Sequence, residues 1–170
     1  MMSWFYIILT TIALSACSLL FPDRSAPKSD SYTILKLDPP WTPVATGENQ
    51  DSIDALKADL AYENTETGGI ISLNSLCRKY SGSSLDDLTS NLVRGIGSLK
   101  TLEQKDTTVG GIPAKDTVFE GVVDGIKVNL HTIVLMKKSC TYDFIYVVVP
   151  KKDNNNGSDF DKFVASFKAD

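Results

Sequence analysis

Tyr142-Asp143-Phe144-Ile145-Tyr146-Val147-Val148-Val149 constrains this chain more than any other stretch, because it is apolar on both faces of an extended strand. Such a strand belongs in the middle of a sheet that is covered on both sides. The segments before it supply that sheet. Leu102 to Val109 leads into a Gly110-Gly111 turn, and Ala114 to Val123 follows. Asp124-Gly125 is the strongest hairpin signal in the chain, since a type I′ turn needs positive φ at both central positions. Beyond it Ile126, Val128 and Leu130 alternate with Lys127, Asn129 and His131, which predicts one buried and one mostly wet face. Alternation then gives way to Ile133-Val134-Leu135-Met136, and Lys137-Lys138-Ser139 turns the chain into the doubly apolar strand.

The flanking regions read as shorter pieces. Tyr32 to Leu37 alternates as a strand, stopped by Pro39-Pro40 and followed by Trp41. Ala58 to Tyr62 and Ile70 to Cys77 flank a polar, Gly-ended tip and predict a hairpin, with a short helical turn over residues 52–57 before it. Leu85, Leu88, Leu92, Ile96 and Leu99 recur at helical spacing and predict one helix over the whole of residues 85–99. Ser84 is its N-cap, and Asp86-Asp87 place negative charge where the dipole favours it. A second helix starts at Ser158, with Phe160, Phe163, Val164 and Phe167 as its apolar stripe.

The catalytic inventory is thin. His131 is the one histidine, it falls in a strand, and no serine or cysteine is placed by a recognisable motif to be its nucleophile. A half-exposed strand position is its simplest role. Asp86-Asp87 is helix-start charge rather than a carboxylate dyad, and the glycine pairs lack the spacing of a phosphate loop. The formal net charge is −4 with no basic cluster, which argues against a nucleic-acid partner. No cofactor and no metal is expected, because two thiols and one histidine without Cys-x-x-Cys spacing make a poor ligand set.

The N-terminus says where the protein works. An uncharged apolar run from Trp4 to Leu14 leads into Leu14-Ser15-Ala16-Cys17. This junction resembles a bacterial lipobox. The resemblance implies cleavage after residue 16, with acyl chains such as palmitate carried on Cys17. Each buried methylene is worth roughly 0.8 kcal/mol, so several chains tether a protein durably to the membrane. The competing reading is an uncleaved signal anchor, since the uncharged run extends from Met1 to Phe21. The expected organisation is a signal peptide over 1–16, the lipidated Cys17 and a flexible tether over 17–31, and one domain over 32–170. Ser18 after the cysteine is similar to outer-membrane sorting, which implies an anchor in the outer membrane facing the periplasm. With Cys17 lipidated, Cys77 and Cys140 remain in an oxidising compartment. They form either a disulfide, worth ~3–4 kcal/mol on the chain-entropy model, or two buried free thiols.

Tyr32 to Leu37 leading into Pro40-Trp41, the helix from Leu85, the Val123-Asp124-Gly125 hairpin and the Phe163 to Phe167 close together resemble the PsbP-like family, including the DcrB and LpqN type of bacterial lipoprotein. The resemblance implies an α+β fold, an α/β/α sandwich around a mainly antiparallel sheet; a cystatin-like roll is the rival. It also implies a binding or assembly role rather than an enzyme. Two functions follow: a protein-binding accessory module with a partner in the cell envelope, or a carrier or sensor of a small apolar or lipid ligand held between the sheet and a helix.

Overall fold

The computed structural model describes residues 31–45, 58–77, 83–150 and 157–170. The expected lipid attachment at Cys17, the signal peptide and the short helical turn over 52–57 lie outside the described residues.

Seven strands form one antiparallel sheet: β2 (Trp41–Pro43), β3 (Leu60–Asn64), β4 (Ile70–Cys77), β5 (Ser98–Val109), β6 (Ile112–Val123), β7 (Ile126–Lys137) and β8 (Cys140–Val148). Their spatial order is β2-β3-β4-β8-β7-β6-β5. The doubly apolar segment is therefore the central strand, β8, with β4 and β7 as its neighbours. Asp124 and Gly125 turn β6 into β7 with φ of 51° and 81°, as a type I′ turn demands.

One face of the sheet is aromatic. Tyr142, Phe144, Tyr146 and Val148 of β8 are buried on it with Ile71 and Leu73 of β4 and Tyr62 of β3. Helix α2 (Gly157–Ala165) lays Phe160 and Phe163 against this surface. Phe163 meets Tyr62 and Phe144 edge-on, with centroids 6.1 and 6.3 Å apart, and Phe160 stacks on Tyr146 at 5.8 Å. Trp41 is buried against Tyr146, and its indole N–H donates to Asp159 in the first turn of α2 at 3.0 Å. The helix ends at Ala165, so Phe167 lies beyond it, yet it is buried against Tyr142 and Phe144. The predicted strand from Tyr32 to Leu37 is shorter than its alternation suggests. β1 covers Tyr32–Thr33 alone and pairs with β9 (Lys168–Ala169). Beyond Thr33 the chain leaves the ladder, and the amide of Leu35 bonds instead to the hydroxyl of Ser166.

The opposite face carries α1 (Leu85–Leu92), which packs over β6 and β7. Ser84 and Asp87 form the capping box: the Ser84 hydroxyl accepts from the Asp87 amide at 3.1 Å, and the Asp87 carboxylate accepts from the Ser84 amide at 3.2 Å. The Ser84 hydroxyl also donates to that carboxylate at 2.7 Å, and this bond, with the one from the Ser84 amide, holds the Asp87 carboxyl below its ordinary pKa. Lys115 pins the helix to the sheet through Asp86 at 2.9 Å, and reaches Asp106 on β5 at 2.7 Å.

The helix is shorter than the apolar spacing predicts, and this is the main correction to the sequence reading. It stops at Leu92, with Val93 as C-cap, and Ile96 and Leu99 are not part of it. Gly95 and Gly97 adopt positive φ (87° and 45°), a conformation that no helix can propagate. A Cβ on Gly97 would sit 2.1 Å from the Val122 carbonyl oxygen, and one on Gly121 would sit 2.2 Å from that of Ser98. Two glycines thus let the chain cross β6 closely and start β5 at Ser98 rather than near Leu102. With α1 and α2 on opposite faces of one antiparallel sheet, the architecture is the α/β/α sandwich of an α+β fold, not a roll around one helix.

Candidate functional site

Because α1 is only eight residues long, it covers only part of its face. Beside its C-terminal end lies an open groove of about 470 Å³. Its floor is Ile145, Val147 and Val149 with Val128 and Leu130, and its far wall is Ile96 and Leu99 from the turn after α1 and the start of β5. Ile70 and Ile126 form the rim and are 43% and 55% exposed. They adjoin an aliphatic lining, so the apolar surface here is contiguous rather than scattered.

The alternation of β8 places this groove. Residues at even positions serve the aromatic core, so the odd positions Ile145 and Val147 must face the other way. Both are only partly buried. The wall was missed in the sequence because Ile96 and Leu99 fit a helical stripe. The signal that could have found it is the pair of glycines between Arg94 and Ser98.

Charge around the groove is one-sided. Among the described residues of its lining, Asp124 is the one that is ionisable. Asp143 is the next residue of β8 on the same face as Ile145, one two-residue strand step (roughly 7 Å) along. It stands directly across from Asn74 of β4 and Val134 of β7. It makes no hydrogen bond or ion pair among the described residues. Burial pushes its carboxyl up to about 7.

The remaining candidate residues fall elsewhere. His131 is on the α2 face, with Nε2 2.7 Å from Asp116 Oδ1 and its ring 4.8 Å from that of Phe160. Its expected wet strand position is thus partly roofed by α2. Lys105 approaches the same Asp116 at 3.6 Å and Glu103 at 3.0 Å. Cys77 and Cys140 are joined, with Cα atoms 3.9 Å apart, directly opposite one another at the end of the β4–β8 ladder away from Ile70. The bridge and the groove therefore share two strands but not a site. Among the described residues no group of three or more His, Cys, Asp or Glu side chains is placed to hold a metal ion, and no helix is long and apolar enough to cross a membrane.

No family model and no curated protein matches the chain by sequence. Solved structures do match by shape. LpqN of Mycobacterium tuberculosis, involved in cell envelope biogenesis, superposes with a TM-score of 0.56 at 12% identity, covering 85% of this chain and 86% of that one. The cyanobacterial PsbP protein CyanoP of Synechocystis superposes with a TM-score of 0.55 at 11% identity, covering 84% of this chain and 93% of its own. The fold is PsbP-like. A Pseudomonas aeruginosa protein of unknown function has a similar shape, with a TM-score of 0.50 at 10% identity over 84% of this chain and 85% of that one. At these identities the PsbP-like likeness concerns the backbone, and the groove must be read from this chain's own residues.

Proposed function

We propose that this PsbP-like protein is a non-catalytic, lipid-anchored accessory protein of the bacterial envelope that holds a small apolar or lipid-like group in the groove beside α1. The groove carries this reading: it is concave, lined by aliphatic side chains, and its volume falls in the roughly 300–1,000 Å³ range of small-molecule sites. Of the two functions the sequence leaves open, it favours the carrier or sensor. An envelope location is supported by the Cys17 junction, and by LpqN, a structural neighbour involved in cell envelope biogenesis in its own organism. The non-catalytic reading is supported by His131, whose ring is engaged by a carboxylate and a phenyl ring and lies on the face opposite the groove.

A protein partner is the second reading, and β5 favours it. This edge strand is twelve residues long and mostly exposed, and its outer N–H and C=O groups, which pair with no strand among the described residues, could accept an added strand. Native mass spectrometry after mild extraction separates the two. One equivalent of an apolar molecule co-purifying with the mature protein supports the carrier. A ligand-free protein in stable complex with another polypeptide supports the edge.

A further inference from the structure

We infer that the groove selects single-chain amphiphiles whose polar end carries an amine, with the chain on the Ile145–Val149 floor and the amine beside Asp143. This rests on the groove reading above and specifies the ligand for it.

The two ends of the surface differ in kind. From Val149 to Ile145 the floor is aliphatic, and the next residue facing the same way is a carboxylate that makes no hydrogen bond or ion pair among the described residues. A chain laid along β8 would place its polar end within one strand step of that carboxylate. Asn74 lies across from Asp143, and Ser72, its same-face neighbour on β4, lies across from Ile145. Both side chains can accept a hydrogen bond from an N–H group. The sign of the charge comes from what lines the site. Asp124 stands on the groove lining and Asp143 beyond its floor, while no Lys or Arg is among the described residues of the lining. The cation closest along the same row of the sheet, Lys115, is already held by Asp86 and Asp106. A carboxylate or phosphate head would meet negative charge that no described residue of the lining compensates. An uncharged hydroxyl can donate one hydrogen bond to Asp143 but leaves its charge uncompensated, whereas an ammonium supplies both the donor and the opposite charge where desolvation makes them most valuable.

The test is displacement of the neutral dye N-phenylnaphthylamine from the folded protein at about pH 8, using dodecylamine, dodecanol and dodecanoate as competitors. Dodecylamine should displace the dye at a concentration ~10-fold or more below dodecanol, with dodecanoate weakest. Asp143→Asn should bring amine and alcohol to within about two-fold of each other. If the dye does not bind, the groove reading fails and this inference falls with it. If the dye binds but the three competitors rank equally, or Asp143→Asn leaves their order unchanged, the groove stands and the amine selection is overturned. Carbon-13 NMR of the wild-type Asp143 carboxyl provides a readout that needs no variant. Dodecylamine should lower its titration midpoint and dodecanol should not; a midpoint unmoved by the amine overturns the inference.

Discussion

The two faces of the central sheet are built from alternate residues of the same strands, yet they do different things. On the α2 face Phe144, Phe160, Phe163 and Phe167 are fully or almost fully buried; Phe163 and Phe167 meet Phe144 edge to face, and Phe160 stacks on Tyr146. On the α1 face Ile145 and Val147 stay partly open, and the covering helix stops after eight residues. Large aromatic rings with two-sided contacts give a face that is closed and rigid. Aliphatic side chains beyond the end of a short helix leave the other face concave and open. On the proposed reading, stability belongs to one side and binding to the other.

That assignment breaks most visibly at Phe163. Replacing it with Ala should cost ~3–5 kcal/mol in urea unfolding by opening a cavity under α2. A loss below about 1 kcal/mol would mean the aromatic face is not the principal core. The Cys77–Cys140 bridge should matter nearly as much, since it closes a loop of 63 residues between the strands that both faces share. Paired Ser substitutions should lower stability by ~2–4 kcal/mol, seen as a shift in the urea midpoint.

Asp143 sharpens the comparison from the other side. Its carboxyl is raised from 3.8 to about 7 by burial, so between those values the folded protein binds more protons than the unfolded chain. Its contribution is fully present below about pH 4, declines as pH rises, and is gone above about pH 7. Against Asp143→Asn, the wild type should lose roughly 4 kcal/mol across that window, at about 1.4 kcal/mol per pKa unit. A difference that does not vary with pH would mean the carboxyl is not desolvated. The smallest effect is expected at His131. His131→Gln should change stability by about 1 kcal/mol or less and leave ligand binding intact, because the ring lies on the aromatic side and outside the groove.

Much of the fold was legible in the sequence for identifiable physical reasons. The central place of β8 follows from apolar residues at both parities, and the β6–β7 turn from Asp124-Gly125. The start of α1 follows from a serine cap three residues before an aspartate. The groove was not legible, because its wall looked like something else. Ile96 and Leu99 keep the three- and four-residue spacing of a helix, and periodicity cannot tell a continuing stripe from two residues turned by glycine onto a sheet. The site lies where the periodic reading fails. Ile34 to Leu37 failed similarly, since alternation does not reveal whether a neighbouring strand is there to pair with.

The division between the faces is tested most directly by dye binding to a groove-filling variant. Val147 is partly open on the groove floor, so Val147→Trp should fill the space while leaving the aromatic core untouched. The wild type should enhance N-phenylnaphthylamine fluorescence with one site per chain. Val147→Trp should abolish that enhancement while its urea unfolding midpoint stays close to wild type. Equal fluorescence from both proteins would place the apolar site somewhere other than the α1 face, and the proposed separation of core from binding surface would be wrong.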